Sequence, residues 1–306
     1  MRILSIGEVM VELSGAGHGL WRTGFAGDTF NTAWYLAALR RDWQVAYGTR
    51  LGRDAMSTAA ADAIRDAGLL TDWLQADPVR SIGLYMISLS NGERSFTYWR
   101  DTSAARLLAE DPAWLAAAMG WADAVYLSGI TLAILSPAAR RRLIAAMAQA
   151  RRQGKQLIFD PNLRPRLWED ADTMRAAITD AAATSTLCLP SFDDEAALFG
   201  DASPEDTAAR YAALGPAEVV VKNGPGPLVL WSGGALHPAQ APQALIPVDT
   251  TGAGDSFNAG YIAARLGGAT APQAIRAGQS LAALVVMHPG ALVPADVMNA
   301  YLEKTP

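Results

Sequence analysis

Asp249-Thr250-Thr251-Gly252-Ala253-Gly254-Asp255-Ser256-Phe257 joins an apolar run to a helix-forming one. The run before it, Ala244-Leu245-Ile246-Pro247-Val248, reads as a short strand, and 258–266 reads as a helix. Two glycines with only Ala253 between them let successive backbone N–H groups point into one hollow. Unpaired N–H groups and the helix dipole both favour negative charge at a helix start, so the stretch predicts an anion site. Asp255 lies inside it. Its carboxylate suits a helix cap. It equally suits a base that takes a proton from an attacking hydroxyl while the hollow takes the charge developing on phosphate. The spacing leaves both open.

Upstream, 218–221 is an apolar strand that ends in Lys222-Asn223-Gly224-Pro225-Gly226. A lysine beside a glycine turn at a strand end suits a nucleotide phosphate. There is no Walker A element, because Gly154-Lys155 is followed by Gln156 and lacks the upstream glycine. Further back, 186–190 is a strand, and Asp193-Asp194-Glu195 opens a helix that reaches Phe199, where acids complement the dipole. The strand 155–159 runs into Asp160-Pro161-Asn162-Leu163-Arg164-Pro165-Arg166-Leu167-Trp168. Polar residues at the C-terminal end of a parallel strand are where α/β folds place ligands. Arg164 is read as substrate-facing and Arg166 as a surface charge.

The strand 45–50, the turn Gly52-Arg53-Asp54 and the helix 55–67 repeat the rhythm seen in 124–130 and 136–153. Such repeats point to βαβ units and a parallel sheet. Residues 82–89 and 94–99 break it: they read as two strands joined by Ser90-Asn91-Gly92-Glu93, a hairpin signal. Near the N-terminus, 2–6 is a strand, 9–13 alternates in strand fashion, and Gly27-Asp28 with Asn31 opens the helix 32–40, a pattern that capping alone explains. Gly15-Ala16-Gly17-His18-Gly19 is a loop without the dinucleotide fingerprint, which disfavours a dehydrogenase.

The chain has 306 residues, half of them hydrophobic, and a net charge of −5. Its pI near 5.3 argues against a nucleic-acid partner. The single cysteine, Cys188, lies in an apolar run and reads as a buried thiol. No run approaches the roughly 20 apolar residues of a membrane helix. The first residues are interrupted by Glu8 and Glu12 and do not form a signal peptide. A soluble cytoplasmic protein is the expectation.

The stretch 249–257 resembles the C-terminal signature of the PfkB (ribokinase-like) carbohydrate kinases. The resemblance extends over nearly the whole chain. It implies one ribokinase-like domain, 1–306, with a three-layer α/β/α fold and a mostly parallel central sheet. It also implies a small β-sheet lid inserted within about 9–31 and 80–102. Asp255 is then the catalytic base, and the amides of Gly252, Ala253 and Gly254 form the anion hole. Gly27, Asp28 and Asn31 approach the sugar hydroxyls, although Ala26 replaces the first glycine of that motif. Tyr85, Tyr98 and Arg100 face the substrate from the lid, unless the aromatics only pack the sheet. Lys222, Gly224 and Gly226 form the nucleotide loop, with the second glycine one residue early. Glu195 takes a water-mediated metal role; Phe192 stands where an Asn is usual, and Asn162 or Asp194 compensates. The segment His288-Pro289-Gly290-Ala291 passes near the adenine, while His288 itself reads as a solvated or satisfied histidine. The implied cofactors are ATP and Mg²⁺, with a monovalent-cation requirement left open, and the implied partner is a second copy paired through the lid.

Four segments, 5–13, 98–100, 127–130 and 159–168, are similar to those of bacterial 2-keto-3-deoxygluconate kinases within this family. That substrate is a sugar acid, and a planar guanidinium matches a carboxylate bidentately. Arg100 and Arg164 supply such forks, and Tyr85 and Tyr98 supply hydroxyls. A kinase of a neutral sugar or nucleoside, and a sugar or nucleotide sensor that does not turn over, remain as alternatives.

Overall fold

The structure, a computed structural model, describes residues 1–90, 93–239 and 241–304. In chain order the strands are β1 Arg2–Ile6, β2 Met10–Gly17, β3 Leu20–Ala26, β4 Gln44–Leu51, β5 Leu74–Ala76, β6 Gly83–Ser90 and β7 Glu93–Trp99. Then follow β8 Ala124–Ser128, β9 Gln156–Asp160, β10 Leu187–Cys188, β11 Glu218–Val221, β12 Val229–Ser232 and β13 Ala235–Pro238. The large sheet runs β13-β12-β11-β10-β9-β8-β1-β4-β5 and the small one β3-β2-β6-β7. From β5 to β11 every pairing of the large sheet is parallel; β11, β12 and β13 pair antiparallel.

Alternation along the parallel strands builds two cores. Leu4, Ile6, Val125, Leu127, Leu157 and Phe159 face one set of helices, including Pro112–Trp121, Pro137–Arg152 and Ala171–Thr184. Ile3, Tyr47, Tyr126, Ile158 and Val220 face the other, including Asp28–Leu39, Ala253–Leu266 and Ala271–Val285. A strand apolar on both faces needs cover on both, and this gives the three layers. Helices Ala253–Leu266 and Ala271–Val285 cross closely, because a Cβ on Gly260 would lie 2.8 Å from the Ala277 carbonyl oxygen and one on Gly278 would lie 2.8 Å from that of Phe257. No helix among the described residues is long and apolar enough to cross a membrane.

The small sheet contains the expected second strand pair, β6 and β7, and the Asn91-Gly92 turn between them lies outside the described residues. The segment 15–19, expected as a loop, splits: Gly15-Ala16-Gly17 ends β2 and pairs with β3, and His18-Gly19 is the turn of this second hairpin, with positive φ at Gly17, His18 and Gly19. One strand expectation fails. The run 244–248 is not a strand, and Ile246 is 90% exposed. Pro242 and Pro247 remove ladder donors, and the Val248 amide donates instead to the Val286 carbonyl at a helix end.

Candidate active site

The C-terminal ends of β1, β8, β9, β10 and β11 open onto one cleft of about 490 Å³, covered by Tyr85, Phe96 and Tyr98 of the small sheet. Its floor is the loop 249–254. Gly252 is the N-cap of helix Ala253–Leu266 at φ 75°, and a Cβ there would lie 2.7 Å from the Ala291 carbonyl oxygen, so only glycine fits. Asp249 clamps this loop to its neighbour. Its Oδ1 accepts from the Thr251 amide (3.0 Å) and hydroxyl (2.8 Å), and its Oδ2 accepts from the Gly290 amide (2.5 Å). The Ala253 amide donates to the Thr250 carbonyl at 3.2 Å. Among the described residues the amides of Gly252 and Gly254 meet no backbone acceptor outside the helix, whereas that of Ala253 already has one in the turn.

Asp255 lines the cleft in the first turn of the helix. Its Oδ2 accepts from Asn31 Nδ2 at 2.8 Å, and the helix has no side-chain cap, so the capping reading falls away. Burial, reinforced by repulsion from Asp28 and Asp160, pushes the Asp255 carboxyl up to about 7 against the opposing pull of Asn31 and Lys222. Asp28 is raised as well, by burial first. Its Oδ2 accepts from Asn162 Nδ2 at 2.8 Å.

Lys222 directly follows β11, with its amine deep in the site. Nζ donates to Asp160 Oδ2 and Asn258 Oδ1, both at 3.2 Å, and a Cβ on Gly254 would lie 3.8 Å from it. The cation thus stands against the nest. Asn258 holds the arrangement: its Nδ2 donates to Asp160 Oδ2 (2.7 Å) and to the Tyr126 hydroxyl (3.1 Å). Gly224 and Gly226 are not in the cleft lining. They form the turn from β11 to β12, closed by the Gly226 amide on the Asn223 carbonyl at 2.7 Å.

Under the small sheet, the Gly27 backbone passes so close to the β1–β2 connection that a Cβ would lie 2.1 Å from the Glu8 carbonyl oxygen. Tyr85 and Tyr98 pack with ring centroids 5.8 Å apart, and the Tyr85 hydroxyl donates to Glu12. Arg100 lines the cleft with its guanidinium donating to Glu8, and Tyr98 packs 5.9 Å from it. Arg164 is half-exposed and faces Asp194 at 3.5 Å.

Of the residues singled out in the sequence, the cleft gathers Gly27, Asp28, Asn31, Tyr85, Tyr98, Arg100, Arg164, Lys222, Gly252, Ala253, Gly254 and Asp255. Glu195 is not among them. It is 0% exposed, and its carboxylate accepts from Arg210 (2.8 Å) and the Tyr211 hydroxyl (2.9 Å). It points away because β10 and its helix leave Asp194, one residue earlier, on the cleft side. Glu8 and Asp160 also line the cleft and escaped assignment from sequence, although both stand at strand ends, where ligands are expected; Asn162 and Asp194, the two residues named as compensating for Phe192, line it too.

The profile of the pfkB family carbohydrate kinases matches residues 2–297. The chain belongs to the PfkB family. This PfkB kinase is 39% identical to a 2-dehydro-3-deoxygluconokinase of Dickeya dadantii (strain 3937), over 97% of this chain and 98% of that one. It is likewise 39% identical to the Escherichia coli (strain K12) protein of that name, over 98% and 99% of the two chains. Its fold superposes on a crystal structure of a PfkB protein from Polaromonas sp. JS666 with a TM-score of 0.82 and 28% identity, over 97% of this chain and 99% of that one.

Proposed function

We propose that this PfkB kinase transfers the γ-phosphoryl group of ATP to the 6-hydroxyl of 2-keto-3-deoxygluconate, with Asp255 as the base. The observation that carries the mechanism is a carboxylate raised to about 7 between an amide nest and a covered cleft. The relatives at 39% identity support the substrate, as do two arginines in the cleft wall.

In this reading the sugar acid enters beneath the small sheet, and Arg164 meets its carboxylate. Tyr85 and Tyr98 cover it and exclude water, which would otherwise accept the phosphoryl group. Asp255 takes the proton of the 6-hydroxyl as its oxygen bonds to the γ-phosphorus. The bond to the bridging oxygen breaks, and ADP leaves with that electron pair. The Gly252 and Gly254 amides and the Lys222 amine hold the charge on the transferring group. The nucleotide lies on the side of the Lys222–Gly226 turn. A divalent ion, when bound, would supply further charge neutralisation for the phosphates. Asp194, whose ion pair with Arg164 is long at 3.5 Å, is a cleft carboxylate with lone pairs to spare and would hold the ion's water shell.

One observation favours a neutral sugar instead: Glu8 already pairs with Arg100, which reduces the positive charge in the cleft. ATP-dependent phosphorylation of 2-keto-3-deoxygluconate, fructose and ribose decides between them, with Asp255→Asn as control. Preference for the acid, lost in the variant, is expected. Turnover of fructose or ribose alone overturns the substrate, and full activity of Asp255→Asn overturns the base.

We also infer pairing with a second copy through the outer face of the small sheet. Phe25, Val11, Leu84 and Trp99 lie in register across that face; Val11 is buried and Phe25 packs on the core, whereas Leu84 is partly exposed and Trp99 is 55% exposed, so these last two are what the face offers a second copy. Sedimentation velocity at micromolar concentration tests this: a dimer that Trp99→Arg dissociates is expected, and a monomer throughout removes it.

A further inference from the structure

We propose that Glu8 is a positioning residue for sugar recognition, fixing the Arg100 guanidinium at the root of the small sheet. The proposal rests on the reading of the cleft as a sugar-kinase site. The chain passes between the sheets from β1 to β2, from β3 to helix Asp28–Leu39, from β5 to β6, and from β7 towards the turn Ala104–Leu107. Glu8 meets every one of these crossings. It lies on the first. On the second, the Gly27 backbone approaches its carbonyl oxygen so closely that a Cβ would lie 2.1 Å away. On the third, a Cβ on Gly83 would lie 2.9 Å from its Oε1. On the fourth, Arg100 Nη2 donates to its Oε2, and the Ser103 hydroxyl donates to its Oε1 at 2.5 Å.

Glu8 is 2% exposed and Arg100 5%, yet both line the cleft. Arg100 Nε is fully buried and has no hydrogen-bond acceptor among the described residues. A buried donor without an acceptor is costly and rare, and a ligand oxygen completes it. Glu8 holds one part of the guanidinium and leaves Nε–H for the sugar. It also offsets the Arg100 charge, so the half-exposed Arg164 is left to attract a carboxylate. Arg164 then supplies charge, and Arg100 supplies direction.

The test compares Glu8→Ala, Glu8→Gln and Gly83→Ala in the purified enzyme, varying sugar and ATP separately. Gln keeps an oxygen for Arg100 and offers an N–H to the Ser103 oxygen, so it preserves position while removing charge. Glu8→Ala is expected to raise the sugar KM about tenfold or more, with kcat and the ATP KM each within about threefold of the parent. Glu8→Gln should return the sugar KM to within about threefold. A merely structural role would lower the melting temperature without this split, and Gln would not selectively restore the sugar KM. Where Glu8→Ala fails to fold, Gly83→Ala tests the Glu8–Arg100 pair as a unit, because its methyl group would lie 2.9 Å from Glu8 Oε1, 3.1 Å from Met10 Cγ and 3.3 Å from Arg100 Cβ and leaves both charges in place. A sugar KM unchanged in the folded variants, or a rise matched by the ATP KM, overturns the proposal. The parent's substrate panel is run first. If the parent takes only a neutral sugar, the acid reading fails by itself, and the same variants assayed with that sugar still decide the role of Glu8.

Discussion

Asp255 and Glu195 are both pushed up to about 7 by burial, and both stand in the first turn of a helix. Their surroundings are opposite. Glu195 is enclosed, with Arg210 and Tyr211 donating to its two oxygens. Asp255 lines a cleft, accepts from Asn31 on one oxygen, and faces two other acids. A raised carboxylate therefore marks a site only where the cleft reaches it and its lone pairs are left unfilled.

The sharpest way to break the comparison is to remove each group. Asp255→Asn should lower kcat/KM by about 10²- to 10⁴-fold, measured by coupled ADP release. Its folding stability should hold or rise in alkaline buffer. The reason is the sign of the shift: a raised pKa means the native state holds its proton more tightly. The stabilisation is complete below the ordinary carboxylate range and is lost as pH rises through about 7. Glu195→Ala should do the reverse. Denaturant unfolding should show a loss of about 2–3 kcal/mol, as the Tyr211 hydroxyl is left unpartnered, with kcat/KM within about threefold. A Glu195 variant that folds normally and loses activity would reverse the assignment.

Next in size is the nest. Gly252→Ala must seat a methyl group 2.7 Å from the Ala291 carbonyl oxygen at a positive φ. Its kcat should fall about tenfold to a hundredfold through displaced amides, in single-turnover assays at saturating sugar. Arg164→Ala should raise the KM of the sugar acid about tenfold and leave that of any neutral substrate alone. The smallest effect is on pH. At saturating nucleotide, kcat/KM for the sugar should climb about tenfold per unit below a break near the Asp255 value and level above it, because the base works unprotonated. Asn31→Ala removes a hydrogen bond that favours the ionised form, so the break should move upward.

The signature around Asp255 was legible because its chemistry is local: a nest, a helix start and an acid lie within a few residues. The parallel strands were legible for the same kind of reason, since each carries its own apolar pattern and ending. Residue pairs brought together by topology were not. Glu8 and Arg100 are 92 residues apart in sequence and meet only because β7 returns to the end of β1. Asn258 and Asp160 are likewise joined across 98 residues. Glu195 was misread for a related reason: successive residues of a helix point about 100° apart, and Asp194 rather than Glu195 faces the cleft. The run 244–248 has strand composition, but its prolines and the nearby Val286 carbonyl decide otherwise.

Cys188 is the only cysteine in the chain, a residue of β10 sealed in the core of the parallel sheet, where burial raises its thiol well above the ordinary range. Maleimide dyes need an accessible thiolate, so the parent protein should stay unlabelled under native conditions. Ser95 on β7 is exposed. Ser95→Cys therefore offers a single attachment point, and fluorescence from a dye there would follow the small sheet as sugar and nucleotide arrive, without deleting any native cysteine.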